Sequence, residues 1–250
     1  MTSREVDKIL LEKPKLSFFE FGLLLSFRDL FKAIFHYLVY TFVVIGFTLL
    51  VLFLGQISPV LAIVISVLNF VFYSGYIYYS KFSESKRLAD FSSFFLGFRN
   101  LKNLVRLGTL STCLSLAVNG LVMSLLSEYS LGGSIEDLTR LISSNPDFSR
   151  SVIMIGVVSS LIQLFFIMCL PIYVNNPKIK FVDGIRLSVN LVLNNFVQFL
   201  AFYIVVFAVI IFSLFLFVLP VLFTFPLIFI SQRVIYDLFF KQEEIESLLT

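Results

Sequence analysis

Long, uninterrupted apolar runs constrain the fold of this chain more than any other feature. A helix needs about 20 apolar residues to cross a hydrocarbon layer about 30 Å thick, and several runs reach that length. An outer-membrane barrel would instead show segments of about 10 residues with alternating polarity. Only 14 % of the 250 residues are charged, against about one quarter in a soluble domain. The sequence therefore predicts an all-α fold, a polytopic membrane helix bundle.

The runs predict six transmembrane helices in one integral membrane domain over 1–250. The apolar stretch over 196–230 is too long for one crossing, and Pro220 is the predicted boundary inside it because proline ends helices. An amphipathic segment is expected over 1–33 and a tail over 240–250, both on the cytoplasmic side. The predicted spans cover about 34–55, 59–79, 107–126, 151–174, 196–218 and 220–239.

The basic residues are distributed unevenly between the loops. All but two of the 19 Lys and Arg residues fall in segments that six spans place on one side. The exceptions, Arg140 and Arg150, lie in the opposite loop over 127–150. Because cytoplasmic loops carry the excess of Lys and Arg, both termini are predicted to be cytoplasmic.

The segment FSSFFLGFRNLKNLVRLG, residues 91–108, places cations among phenylalanines and leucines. As one α-helix it would have a polar face that includes Arg99, Asn100 and Asn103. This pattern predicts a helix in the membrane interface with its cations towards anionic headgroups. A partner-binding helix is an alternative, whereas nucleic-acid binding would need exposed aromatic residues or a larger basic excess. The apolar face would hold Phe91, Phe94, Phe95, Phe98, Leu101 and Val105. The candidate headgroup contacts of this segment and of the segment before span one are Arg28, Lys32, Arg99, Lys102 and Arg106.

Similar segments precede three of the spans. LSFRDLFKAI (25–34) precedes span one, LGFRNLKNLV (96–105) span three, and LSVNLVLNNF (187–196) span five. The sequence alignment places 25–28 on 96–99. It predicts three units, each consisting of a cytoplasmic amphipathic helix and a two-span hairpin, as in membrane proteins built from parallel repeats.

A polar stripe leads into span five. Its side chains recur at steps of three and four residues, which places them on one face of a helix. Amides that enter a bilayer need hydrogen-bond partners. Two interpretations stay open: a solvated face that continues into interhelical hydrogen bonds around a packed centre, which is favoured, or the cytoplasmic mouth of a substrate cavity. The stripe comprises Asp183, Arg186, Asn190, Asn194 and Gln198, with Asn69, Asn119 and Gln163 as candidate partners on other spans.

The sequence contains few groups that could carry chemistry. The single histidine, His36, has no nearby cluster of Cys, Asp or Glu and is expected to make an interfacial or helix contact. No phosphate-binding loop, dinucleotide glycine pattern or metalloprotease motif is present. The sequence therefore predicts no enzyme, cofactor or metal.

Three segments resemble a group of uncharacterised bacterial six-span inner-membrane proteins, the YciC-like family. They are LADFSSFFLGFRNLKNLVRLG (88–108), PIYVNNPKIKFVDGIRLSVNLVLNNFVQFL (171–200) and PLIFISQRVIYDLFF (226–240). The resemblance implies the six-span fold and a bacterial inner (cytoplasmic) membrane. It implies no catalytic residue, because the activity of that family is itself unknown.

Two functions follow as hypotheses. The first is a non-enzymatic protein of envelope or membrane organisation that acts through its lipid-facing surfaces and partners. The alternative is a small-solute or lipid transporter with a cavity lined by the 183–198 stripe. A polar cavity at the middle of the bilayer that is lined by the stripe would favour the alternative.

Overall fold

A computed structural model describes residues 17–85, 89–128, 145–215 and 218–240, and within these ranges the chain is helical without strands. Residues 241–250 of the predicted tail (240–250) and residues 1–16 of the N-terminal segment lie outside the described residues. The described part confirms the predicted all-α bundle. Its helices are α1 (Ser17–Lys32), α2 (Ile34–Ile57), α3 (Pro59–Ser66), α4 (Asn69–Ser85), a 3₁₀ helix (Phe91–Arg99), α5 (Leu101–Glu128), α6 (Pro146–Phe166), α7 (Cys169–Asn175), α8 (Phe181–Asn194), α9 (Phe196–Phe215) and α10 (Val218–Phe240).

Five stretches of the described chain are long and apolar enough to cross a membrane, and a sixth is added if one bent helix pair counts as a span. That pair is Phe181–Asn194 with Phe196–Ile211, bent by 94°. The protein is therefore a multi-pass helical membrane protein. The five stretches are Ile34–Ile57, Ile63–Ser83, Leu101–Leu125, Pro146–Asn175 and Leu222–Phe240.

Capping residues define the tight connections. Ser58 separates α2 from α3 and accepts a hydrogen bond from Leu61 N at 3.4 Å, with Pro59 as the first helical residue. Asn145 caps α6 by accepting from the backbone N–H groups of the second and third residues after it. The predicted boundary at Pro220 is displaced, because α10 begins at Val218. Proline is tolerated in a first turn, where its missing N–H would have had no intrahelical partner.

The backbone repeats the same corner at three places. Ala33, Asn100 and Asn195 each separate a short helix from a long one, with φ/ψ of −132°/33°, −122°/49° and −126°/35°. Each of the three donates its N–H to the carbonyl three residues earlier, at 3.1–3.3 Å. This equivalence supports the three predicted units: α1 to α4, the 3₁₀ helix to α7, and α8 to α10.

Burial follows the same three-unit register. The residues four and seven positions after each corner are all buried. Ser26 and Ser93 correspond to each other in this register, because each lies seven residues before its corner. The sequence alignment of 25–28 with 96–99 is therefore wrong by four residues. Leucines and phenylalanines spaced by three or four return to the same helix face after about one turn, which makes such a shift hard to detect. The buried sets are Tyr37, Leu104 and Phe199, then Tyr40, Leu107 and Phe202.

Each short helix packs against the second span of another unit, usually through a glycine. α1 lies on α10, the 3₁₀ helix on α4, and α8 on α6 and α7. A Cβ on Gly97 would meet Ser74 Oγ and the Val71 carbonyl, and one on Gly184 would meet the ring of Tyr173. These close approaches join the three units into a ring.

Candidate functional site

The segment over 91–108 is two helices that meet at Asn100. The first, a 3₁₀ helix, has about three residues per turn, so Phe91, Phe94 and Gly97 share one face. The ring of Phe94 is fully buried and stacks on Tyr40 and Tyr79, with both centroid distances 4.1 Å. The prediction of one continuous α-helix is therefore wrong, and the aromatic core fixes this segment in the bundle.

The opposite side of this segment remains on the surface. Phe95 and Phe98 are 38 % and 39 % exposed, and Arg99 is exposed beside them. Lys102 and Arg106 are exposed on the first turns of α5. This segment thus has exposed cations and exposed aromatic rings on its outer side, while its inner side is buried in the bundle.

Helix α1 has the same character. Arg28 and Lys32 are exposed beside Phe27 and Phe31, which are 43 % and 65 % exposed. Lys32 also donates a hydrogen bond from Nζ to the Ser83 carbonyl at 3.0 Å. All five candidate headgroup contacts therefore lie at the protein surface.

Asn100 and Asn103, which were predicted to lie on a polar face, have structural roles. Asn100 Nδ2 donates to the Tyr173 carbonyl at 3.1 Å, and Asn103 Nδ2 donates to the Ile179 carbonyl at 3.0 Å. Asn103 is buried. These two amides join the start of α5 to α7 and to the loop that follows α7.

The polar stripe over 183–198 is not continuous. Gln198 lies on α9, beyond the 94° bend at Asn195 that separates it from α8. Asp183, Arg186 and Asn194 are exposed, whereas Asn190 and Gln198 are partly buried. The prediction of one helical face is wrong because the backbone turns between its fourth and fifth members.

The buried amide at this corner is Asn195, which the stripe did not include. It is 5 % exposed and donates from Nδ2 to the Leu191 carbonyl at 3.1 Å. Its neighbour Ser188 donates to the Phe165 carbonyl at 2.7 Å. The inward face of α8 is thus the side opposite to the predicted stripe.

A buried ion network was missed by sequence reasoning. Arg233 on α10 is 1 % exposed, and its Nη2 lies 2.6 Å from Asp237 Oδ2. Its Nη1 lies 3.6 Å from Asp29 Oδ2 on α1 and donates to Ser80 Oγ on α4 at 3.0 Å. The available signal was the Arg-to-Asp spacing of four residues inside an apolar helix.

This network links α1 to the membrane-spanning helices. Removing a charge from water costs several kcal/mol, and a partner must compensate for it. The hydroxyl of Tyr37 lies beside Ser80 and near both Asp29 and Arg233, although it makes no hydrogen bond to a described residue. Next to it, Tyr79 Oη and His36 Nδ1 are 3.0 Å apart, which gives His36 the helix contact that was expected.

A cavity of about 600 Å³ is lined by residues of α3, α4, α5, α6, α7, α9 and α10. No member of the 183–198 stripe lines it, whereas Asn69 and Gln163, two of the candidate partners, do. Its lining residues on α9 and α10 fall near the middle of those helices. The cavity is therefore built from other residues than the sequence predicted. Polar residues of its wall include Ser66, Asn69, Thr112, Gln163, Tyr203 and Gln232.

Comparison of the chain with protein-family models, with curated proteins and with solved structures finds no match. The class of this protein therefore rests on its fold, which is that of a multi-pass, all-helical membrane protein.

Proposed function

We propose that this chain is a non-enzymatic bacterial inner-membrane protein, with both termini cytoplasmic, that organises anionic lipid at the cytoplasmic face. The observation that carries the proposal is the pairing of exposed cations with exposed aromatic rings on two segments. Phenylalanine rings of interfacial helices bury into the boundary between headgroups and acyl chains, and clusters of four to eight cations near the membrane bind anionic lipid. The chain exposes five such cations on two segments: Arg28 and Lys32 on α1, and Arg99, Lys102 and Arg106 at and after the 3₁₀ helix.

The fixed position of both segments supports this role. α1 is joined to the bundle by the contact between Asp29 and Arg233, and the 3₁₀ helix by the buried ring of Phe94. Their cations are therefore presented without the cost of ordering a free segment on binding. Each cation near the surface contributes about 1 kcal/mol of attraction to anionic lipid.

The cavity favours a second candidate, a transporter or carrier of small solutes or lipids. The polar side chains in its wall support this candidate. The exposed positions of Asp183, Arg186 and Asn194 do not, so a transport hypothesis has to rest on the cavity residues.

Lipid selectivity tests the proposal. The full chain, reconstituted in bilayers, should retain spin-labelled phosphatidylglycerol more strongly than spin-labelled phosphatidylcholine, and the preference should fall at high salt because charges are screened. The variant Arg28→Gln/Arg99→Gln/Lys102→Gln/Arg106→Gln should lose most of this preference. Arg150→Gln is the matched control, because its side chain is 79 % exposed in the first turns of α6, on the side that the proposed orientation places opposite to the five cations. Equal selectivity in the fourfold variant and the wild type would refute the proposal.

The membrane orientation has its own test. A reporter fused after Thr250 should be found in the cytoplasm, and one inserted at Gly133 on the other side. The same location for both reporters would exclude the six-span orientation.

A further inference from the structure

The cavity occupies a defined place in the three-unit bundle. The second spans of the first two units contribute residues over 66–73 and 163–170 with the same spacing of i, i+3, i+4 and i+7, and α10 contributes residues over 228–232. Helices α5 and α9 add residues over 107–115 and 203–210. The second span of every unit therefore faces this space.

The wall offers hydrogen-bonding groups without charge. Among the described residues that line the cavity none is charged. Asn69 Oδ1 is buried and has no hydrogen-bond partner among the described residues, and the hydroxyls of Ser66 and Thr112 are 3.5 Å apart. Polar groups at membrane depth need partners, while a charged ligand would find no opposite charge here. An uncharged ligand with a donor group fits this wall.

The rest of the wall is apolar, and the cavity opens on one side. Phe70, Phe229 and Ile210 supply apolar surface for a hydrocarbon chain. Ser115 on α5 and Gln163 on α6 also line the cavity and are exposed. Since both helices are membrane spans, an opening between them faces the lipid.

We propose that this cavity binds an uncharged, hydroxyl-bearing amphiphile with one apolar chain, which enters from the bilayer between α5 and α6. The volume of about 600 Å³ lies within the roughly 300–1,000 Å³ of ligand pockets. The site is separate from the five surface cations, so it can exist whether or not those cations bind anionic lipid.

Photocrosslinking of the full chain in bilayers tests the site. The probes are a diazirine analogue of monooleoylglycerol and the oleic acid analogue with the same chain, which differs by its carboxylate. The glycerol probe should crosslink to residues of the cavity wall, and unlabelled monooleoylglycerol should compete with it. Crosslinking by the acid at the same residues should be several-fold weaker.

Two variants separate the cavity from the outer lipid-facing surface. Ser111→Phe fills the cavity and should abolish the crosslink that unlabelled monooleoylglycerol competes with. Ser124→Phe, on the exposed surface of the same helix, should leave that crosslink unchanged. Thr112→Val should weaken binding about two- to tenfold, the effect of one lost hydrogen bond. Thr109→Val is its control, since that exposed hydroxyl bonds only within its own helix.

The result that overturns the proposal is equal labelling by both probes with no effect of Ser111→Phe, which means contact with surrounding lipid alone. Stronger labelling of the wall by the acid also overturns it. Thermal unfolding of Thr112→Val and Thr109→Val shows whether both keep the fold, so a loss of binding is not mistaken for unfolding.

Discussion

The two halves of this bundle differ in how closely neighbouring segments approach their glycines. In the half that contains the three short helices, a Cβ on Gly75, Gly97 or Gly108 would collide with backbone atoms of a neighbouring segment. In the other half, a Cβ on Gly120 or Gly156 would meet nothing within 4 Å. One half is thus joined by close backbone approach, and the other consists of helices that stand apart.

Burial gives the same contrast. In the 18-residue apolar window within Leu222–Phe240, 61 % of the residues are buried, against 11 % in the window within Leu101–Leu125. Lipid is as apolar as leucine, so an exposed apolar face carries no penalty in a bilayer. The comparison teaches that the tertiary structure depends on packing and polar pairing at one end of the bundle, where α1, α4 and α10 meet.

Loss of the buried arginine should have the largest effect. Arg233→Met leaves Asp29 and Asp237 without their shared cation, and breaking a buried pair costs about 3–5 kcal/mol. The free energy of unfolding, from denaturant titration in mixed micelles, measures this. Arg150→Met removes an exposed pair with Asp147 and should cost less than about 1 kcal/mol. Similar losses of unfolding free energy in both variants would contradict the contrast between the two ends of the bundle.

Alanine at matched glycines should have an intermediate effect. Gly75→Ala and Gly97→Ala should destabilise the protein by about 1–3 kcal/mol, because the added methyl group overpacks a closed contact. Gly120→Ala and Gly156→Ala should be neutral or stabilising by up to about 1 kcal/mol, because alanine favours the helix. Destabilisation by the second pair as large as by the first would show that the open half is packed after all.

Two asparagines on α5 give the smallest predicted difference. Asn103→Leu removes the hydrogen bond to the Ile179 carbonyl and should cost about 0.6 kcal/mol, and at most about 1.7 kcal/mol. Asn119→Leu changes an exposed residue of the other half and should leave the stability unchanged or raise it. The same unfolding titration compares them, and a larger loss for Asn119→Leu would contradict the comparison.

The sequence by itself determined the class and the approximate spans, and it predicted three units without their correct register. Each is a local property: an apolar run of about 20 residues has to be helical in lipid because its backbone needs internal hydrogen bonds. The outward cations Arg28 and Arg99 were also predictable, since a charge in a short amphipathic segment turns towards water.

Only the tertiary structure decided which polar residues turn inward. In sequence, Arg233 resembles the other basic residues of the predicted cytoplasmic side. In the structure it is buried, and it contacts Asp29 and Ser80, which lie 204 and 153 positions away. Likewise, the corner at Asn195 divided the predicted stripe, and the cavity is formed by residues of several spans. These features depend on contacts between distant segments, and periodicity along one helix contains no information about the helix that packs against it.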